Sequence, residues 1–387
     1  MPTTQQVSGS QSTARRSKER PRVVVAGLGD VGVLVATRLS RSCEVVAIST
    51  RPALVSGQEL GNRLTDPANW RRTYLVSYLR FRRLDQVRQL RGRIISADLD
   101  QNSVEVELSD GTIIVEPYDI FVIATGASNG FWRHDRVEDL NMIEAGMASI
   151  SDELKTARTV AVIGGGTTGV SVAANLARRT GSEVHLFHSG DQPLPGYHPK
   201  ARSWITRVLK SDGVIVHPEH RAIVAEGFIG DRLTHEPIEW STGQTPFAAD
   251  VTLWAVGGMR PHSSFLPAEA LDESGYVIVD EYLRLPSHKN VFALGDVAAS
   301  DPHRSSARNW GFRVVVFNVH KTLKRGGGKL KRFPAPEYRW GSILGLQPDG
   351  LTVVQPDGRR FRIPRWIAER LLMQVFVTRY LYGGLRK

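Results

Sequence analysis

Two short glycine motifs, each set between a β-branched run and a helix-like run, constrain this chain more than any other feature. The first is Gly27-Leu28-Gly29-Asp30-Val31-Gly32, which follows RVVVA and opens VGVLVATRL. The second is Gly164-Gly165-Gly166-Thr167-Thr168-Gly169, which follows TVAVI and opens VSVAANLARR. In such a turn the first glycine makes the tight bend and the second lets backbone approach a pyrophosphate. The third lets helix and strand pack closely. The helix N-terminus adds amide donors and a partial positive charge. A glycine motif alone is weak, and the strand–turn–helix setting is what gives it weight. The two recur about 137 positions apart, the nearest thing to an internal repeat. One nucleotide site suffices for a simple dehydrogenase. Two imply electrons passing between a carried and a diffusible cofactor.

The residues around each motif refine the expectation. Asp30 places a carboxylate near the path of phosphate oxygens and counts against tight dinucleotide binding unless it points outward. The strand Glu44 to Ile48 ends at Ser49 and Thr50, where an acid would ordinarily hold the adenosine ribose. After the second motif, the strand ending VHLFHSG puts His188 at the position that selects NADH when acidic. A histidine there leaves NADH and NADPH both open, and an ordinary polar strand end is the plain alternative. Asp119 to Ala124 reads as a buried strand stopping at Thr125-Gly126, and Asp250 to Val256 as another, followed by Gly257. Residues 93–116 alternate apolar and polar around Asp110-Gly111, the pattern of an antiparallel hairpin. The alternation of strands and helices along the chain predicts an α/β fold with parallel sheets.

Composition narrows the class. The chain has 387 residues, 41% hydrophobic and 23% charged, so two or three domains with sizeable cores are expected. Cys43 is the single cysteine, which excludes an internal disulfide, a Cys-x-x-Cys redox pair and a thiolate metal site; no metal is expected. The expected location is cytoplasmic. The first twenty residues are polar and basic, without the apolar stretch of a signal peptide, and Pro2 leaves no glycine for myristoylation. The net charge of +11 gathers in Arg71 to Arg93 and in Lys321 to Arg332. The second run carries none of the aromatics that single-strand binders interleave with their charges, and no nucleic-acid partner is expected. Anionic lipid or an acidic protein suits the charge better.

Two further segments carry a resemblance. Tyr118 to Ala127 (YDIFVIATGA) ends in Ala-Thr-Gly, and Asn290 to Ala298 (NVFALGDVA) contains Gly295-Asp296. Together with both glycine motifs, they make the chain resemble the two-dinucleotide-binding-domain flavoproteins, the pyridine nucleotide oxidoreductases. Within these it looks most like the apoptosis-inducing-factor-like branch, with its ferroptosis suppressor protein-like NAD(P)H:quinone reductases. LVSGQELGNRLTDPANWRRTYLVSY, EVHLFHSG and GDVAASDPHR carry that likeness over roughly residues 20–387. The resemblance implies two Rossmann-like domains in a glutathione-reductase-like FAD/NAD(P) fold with a small C-terminal α+β region. It also implies bound FAD, NADH or NADPH as hydride donor, and a quinone or similar lipophilic acceptor. Asp296 would bond the FAD ribityl chain, and a helix from near Ser305-Ser306-Ala307 would aim its N-terminus at the flavin, with Arg304 and Trp310 bordering it. No side-chain acid or base is expected, so no catalytic residue is named. That branch carries glutamate two residues past the last glycine of the NAD motif, near the nicotinamide–flavin contact; Ser171 stands there in this chain.

The expected division is a lead-in over 1–20, an FAD-binding domain over 21–128 and 263–322, an NAD(P)-binding domain over 129–262, and a C-terminal region over 323–387. In that last region, Ile363 to Tyr382 reads as an amphipathic helix. Arg365, Glu369, Arg370, Gln374, Thr378 and Arg379 make its polar stripe, and Trp366, Ile367, Leu371, Leu372, Val375, Phe376 and Leu381 its apolar face. That face suits either a peripheral seat on the inner membrane surface or packing within the protein or a homodimer. Two rival functions stay open: a reductase of a small iron–sulfur protein, and a slow-turnover nucleotide-binding protein.

Overall fold

The computed structural model describes residues 20–57, 60–128, 136–256, 259–324 and 327–386. Residues 1–19 of the lead-in and Gly257 lie outside them.

The first unit starts with β1 (Arg22–Ala26), whose RVVVA run is buried from its second residue onward. It passes through the glycine turn into α1 (Gly32–Leu39) and returns through β2 (Glu44–Ser49). β3 (Ala53–Val55) then leads to α2 (Leu60–Thr65) and α3 (Pro67–Tyr74). Asp66 caps α3 by accepting from the Asn69 amide at 3.2 Å, and Pro67 fits the first turn, where no amide is needed. β4 (Leu75–Ser77) pairs back on β3. β5 (Val87–Asp98), β6 (Ser103–Leu108) and β7 (Ile113–Pro117) form a meander, followed by β8 (Ile120–Ile123) and β9 (Ala127–Ser128).

α4 (Leu140–Thr156) leads into the second unit: β10 (Thr159–Ile163), α5 (Thr167–Arg179), β11 (Glu183–Phe187), α6 (Pro199–Ser211), β12 (Ile215–His217) and β13 (Val251–Trp254). β14 (Arg260–Pro261) pairs antiparallel with β9, so the two chain crossings between the units run side by side. The chain then re-enters the first unit with β15 (Val291–Ala293) and α7 (Gly311–Thr322). β16 (Leu346–Gln347), β17 (Gly350–Val354) and β18 (Arg360–Ile363) form a small antiparallel sheet, and helix follows from Arg365 to Leu381.

The first sheet has the order β15-β8-β1-β2-β5-β6-β7, and the second β12-β11-β10-β13. Five neighbouring strands of the first, β15, β8, β1, β2 and β5, and all four of the second run parallel, with β8, β1, β2 and β10 innermost. Burial on both faces explains their unbroken β-branched runs. Thus the sheets are α/β in the doubly wound manner, with β15 joined to the first despite coming about 170 residues after β8 in sequence.

The structure differs from the sequence reading in three local places. The alternating stretch 93–116 is not one hairpin but parts of three strands. Its second turn comes at residues 99–102, where Asp98 accepts from the Gln101 amide and Asn102 takes a φ of +54°. The helix expected from 305 starts only at Gly311, because Trp310 before it is left-handed at φ +63°. Residues 301–305 instead fold around the Asp301 carboxylate, which accepts from the amides of His303 and Ser305. Third, the C-terminal helix forms but is wound with i→i+5 bonds, such as Tyr382 N–H to Val377 O at 3.0 Å. Its repeat is therefore longer than the α-helical one on which the amphipathic face was drawn.

Close packing at the glycine turns is severe. A β-carbon on Gly32 would fall inside the Gly27 carbonyl, and one on Gly169 inside the Gly164 carbonyl. Gly32→Ala is expected to cost about 3 kcal/mol, the upper range for overpacking, because backbone rather than a side chain stands in the way. Gly181→Ala, with no described atom within 4 Å, should melt within a degree or two of wild type in the same thermal scan.

Candidate functional site

The two units present the same construction at the C-terminal ends of their central strands. In the first, the Gly27 amide donates to Ile48 O at 2.8 Å and the Ala124 amide to Ala26 O at 2.7 Å. In the second, Gly164 donates to Phe187 O at 2.8 Å and Ala255 to Ile163 O at 2.7 Å. Gly27 and Gly164 both have positive φ, +90° and +126°, and both press on the neighbouring strand's backbone. Any other residue at these turns would be strained.

The middle glycines behave differently. Around a β-carbon on Gly29 or on Gly166 there is no described protein atom within 4 Å, so each turn leaves open space on that side. The helices behind them begin without a side-chain cap, at Val31 for α1 and at Gly166 for α5. Their first amides therefore keep their donor capacity for an anion. Thr167 and Thr168 form the first turn of α5. Both cradles fit a dinucleotide pyrophosphate on these grounds.

An open cleft lies over the first cradle, lined by Gly27, Gly29, Ser49, Thr50, Arg51, Tyr78, Arg93, Thr125, His262 and Phe265 among others. Ser49 Oγ lies 3.2 Å from the Tyr78 hydroxyl, which also donates to Leu28 O at 2.9 Å. Burial pushes the Tyr78 hydroxyl well above its ordinary pKa, so it stays a neutral donor. The Thr50 carbonyl accepts from the Glu138 amide at 3.0 Å. Arg51 reaches Glu138 with its Nε at 3.0 Å, which holds the guanidinium at the cleft wall. Thr125 donates to His262 O at 2.6 Å, and Gly126 O accepts from the His262 amide at 3.0 Å. Sequence reasoning missed Arg51, Tyr78, Arg93, His262 and Phe265. Arg51 was within reach, directly after the Ser49-Thr50 pair; the others come from segments whose nearness only the fold reveals.

Asp30 does not face the cradle. Its carboxylate accepts from Ser56 Oγ at 2.6 Å and from the Gly57 amide at 2.8 Å. It thereby ties the loop after β3 to the start of α1, and its charge is spent there. On the far side, Gly295 has φ +83° and its amide donates to Ser306 Oγ at 2.8 Å. Asp296 follows, half-buried. The nearby Arg304 guanidinium lies 3.5 Å from the centre of the Tyr276 ring. Trp310 meets Phe376 edge-on at 5.7 Å and carries Arg313 over its face at 4.2 Å. Arg308 donates to Tyr197 OH at 3.1 Å and to Trp340 O at 2.7 Å, tying the turn after Asp296 to the second unit and to the C-terminal region.

In the second cradle His188 is buried against Gly165, and burial lowers its pKa. Neither of its ring nitrogens has a hydrogen-bond partner among the described residues. Leaving two such atoms unsatisfied is costly unless a ligand meets them. Ser171 is 3% exposed, and a β-carbon on Gly61 of α2 would strike its hydroxyl. Beneath the cradle, His185 Nδ1 lies 2.9 Å from His217 Nε2, and His185 Nε2 lies 2.8 Å from Glu183. No group of residues that could hold a metal ion occurs among the described residues.

Two outcomes follow. Gly29→Ala and Gly166→Ala meet only open space, so melting should hardly change. Each should instead weaken the dinucleotide held at its own cradle by about tenfold or more, read as a raised dissociation constant in a binding titration. Burial, then the His185 and His220 charges, push the His217 imidazole down from 6.5 to about 4. The unfolded chain thus takes up this proton first, and the neutral form stabilises the fold fully above about 6.5. That stability drains as pH falls towards about 4. Thermal melts across the window should fall less for His217→Gln than for wild type; equal slopes would contradict the assignment.

Comparison with known proteins agrees with this construction. Residues 80–312, more than half of the chain, match the family Pyridine nucleotide-disulphide oxidoreductase. The chain is 26% identical over 323 residues to Ferroptosis suppressor protein 1 of Xenopus tropicalis, covering 79% of this chain and 82% of that one. It is also 26% identical over 403 residues to the type II NADH:quinone oxidoreductase NdhA of Mycobacterium tuberculosis, covering 93% and 84%. Among solved structures, the sulfide:quinone oxidoreductase of Aquifex aeolicus superposes with a TM-score of 0.67 at 16% identity, over 94% of this chain and 92% of that one, a likeness of fold. With paired cradles on parallel sheets and a family match over residues 80–312, which take in the second cradle, the chain belongs to the pyridine nucleotide-disulphide oxidoreductases.

Proposed function

We propose that this protein is an FAD-dependent NAD(P)H oxidoreductase that passes electrons to a quinone or similar lipophilic acceptor. The observation that carries the reading is the doubled cradle, with an open middle glycine and an uncapped helix start in each unit. The relatives named for quinone reduction support the acceptor class. The chain has no Cys-x-x-Cys, so the thiol relay of disulfide reductases is not available to it.

In this reading 21–128 with 263–322 form the FAD unit, 129–262 the NAD(P) unit, and 323–387 the C-terminal region. Gly27, Gly29 and Gly32 with the start of α1 hold the FAD pyrophosphate, while Ser49, Thr50 and Arg51 face its adenosine end. Thr125, Gly126, Gly295 and Asp296 border its middle. Gly164, Gly166, Thr167, Thr168 and Gly169 hold the NAD(P)H pyrophosphate, and the sequence adds Gly257 to that set. His188 turns a ring nitrogen to the adenosine ribose or its 2′-phosphate. Bound FAD would supply the two-electron chemistry; this chain's residues bind, orient and desolvate. Asp30 takes no direct part and secures the loop over the cradle.

For the acceptor, a lipophilic quinone puts the protein at a membrane surface. No helix among the described residues is long and apolar enough to cross a membrane, so contact would be peripheral, through the C-terminal helix.

Adding NADH or NADPH to the purified protein without oxygen should bleach the flavin absorbance, and a quinone should restore it. A preparation that stays colourless after reconstitution with FAD ends the reading. His188→Asp should raise the KM for NADPH by about tenfold or more and leave that for NADH within a few-fold, since a carboxylate repels a 2′-phosphate and accepts from ribose hydroxyls. Equal changes for the two donors would remove His188 from the ribose site.

A further inference from the structure

The outward side of the C-terminal helix is not the face that an α-helical period predicts. With i→i+5 winding, residues four and five apart share a side, and the exposed ones are Trp366, Leu371, Val375 and Tyr380. Ile367, Leu372, Phe376 and Leu381, from the same expected apolar face, are half-buried against the protein. The helix therefore has an inner and an outer apolar side, and the outer residues are the exposed ones.

Two other elements extend the outer side. Arg313 of α7 donates to the Tyr380 hydroxyl at 3.2 Å, and one turn on, Phe317 is also exposed, with Lys321 Nζ 5.3 Å from its ring centre. At the other edge the chain end folds back: the Arg386 amide donates to Arg80 O at 2.8 Å and its guanidinium to Leu79 O at 3.0 Å. Leu79 sits on a single turn, Tyr78–Arg80, and is 82% exposed, the most exposed large apolar residue described.

The charges around these residues are mainly positive, with Asp85 paired to Arg386 and Glu281 to Arg332 at the edges. Residues 78–83, 311–332 and 363–386 hold a single acid, Glu369, and it is paired with Arg365. Arg82, Arg313, Arg370, Arg379, Lys324 and Lys329 are all exposed. Burial first, and then the nearby charges of Arg83 and Arg313, lower the Arg38 guanidinium below this patch to about 10. A second copy seated here would set this patch against itself, cation on cation.

We propose that Leu79, Phe317 and the outer side of the C-terminal helix form one docking face for an anionic lipid bilayer. Leu79, Leu371 and Val375 enter the acyl boundary, and Trp366 and Tyr380 lie at headgroup depth. The arginines and the basic run after α7 meet lipid phosphates. The inference rests on the quinone-reductase reading for its purpose, since the acceptor would be dissolved in that bilayer, but not for its geometry.

The test is co-sedimentation of the FAD-loaded full chain with vesicles of phosphatidylcholine alone or mixed with phosphatidylglycerol. Wild type should pellet with the mixed vesicles, be released by high salt, and stay largely soluble with phosphatidylcholine alone. Leu79→Asp with Leu371→Asp, and separately Arg370→Glu with Arg379→Glu, should lower the bound fraction about tenfold. Flavin bleaching by NAD(P)H needs no lipid and is read on each preparation. If bleaching is intact but wild type does not pellet, or both double variants pellet like wild type, the docking face is wrong and the oxidoreductase reading stands. A wild-type dimer that Leu79→Asp with Leu371→Asp turns to monomer would equally overturn the bilayer as occupant.

Discussion

Two carbonyl oxygens, those of Gly27 and Gly164, fix the geometry on which the site depends. Each occupies the place a β-carbon on Gly32 or Gly169 would need, so helix and strand meet at backbone contact. That contact sets where the first amides of α1 and α5 point, past the middle glycines and into open space. The strands beneath are anchored alike. The Asp119 carboxylate accepts from the Arg22 amide at 2.7 Å, and the Asp250 carboxylate accepts from Arg158 and Thr159 at 2.8 and 3.0 Å. In both units an aspartate just before the strand that flanks the first one, β8 or β13, pins the start of that first strand. The repeat is one of physical roles, spread over residues too different in sequence to read as a repeat.

What could be read from the sequence was what local chemistry decides. RVVVA–GLGDVG and TVAVI–GGGTTG specify their own strand, turn and helix, since each glycine answers to a neighbour no more than a few residues away or to the adjoining strand. The buried runs at Ile120–Ile123, Val251–Trp254 and Val291–Ala293 were legible for the same reason. The misreadings share another cause. Asp30 was placed by Ser56 and Gly57, 26 and 27 positions on. The second turn of the meander depends on Asn102 going left-handed, where asparagine gives less warning than glycine, and the late start of α7 depends on Trp310 doing so, where tryptophan gives none. For the C-terminal helix the residues were right and the period wrong, which moved Leu371 and Val375 outside and Leu372 and Phe376 inside.

The two cradles are useful together only if the units are held in register, and α2 does much of this. Gly61 lies on Ser171 of α5, and Arg179 at the end of α5 donates to Asn62 at 2.7 Å and to Asp66 at 3.0 Å. From the opposite side Asn175 donates to Leu344 O at 3.1 Å and accepts from Gln347 at 3.1 Å. Val55, Leu64 and Trp70 of the first unit share a buried core with Val170, Ala174 and Leu176 of the second and with Ile343 and Val354 of the C-terminal region. The C-terminal region is thus part of the joint as well as the outer surface.

This joint gives Ser171 a physical meaning that a motif comparison does not. An acid at this position would have to displace Gly61, and with it the turn that Asn62 and Asp66 fasten to Arg179. Overpacking of that kind moves backbone rather than a single rotamer. The small hydroxyl side chain instead lets α2 close over α5, so the approach of the two cradles is set by packing where an acid would have set it by charge. The polar work then falls to groups at the rim: Arg51 held by Glu138, Arg308 spanning Tyr197 and Trp340, and His188 with two unmet nitrogens. Arg51 and Arg308 are fixed by contacts from other segments, and His188 is buried against Gly165 of the second cradle. A joint closed by small side chains, with its charges kept at the edges, can orient two nucleotides without placing any acid between them.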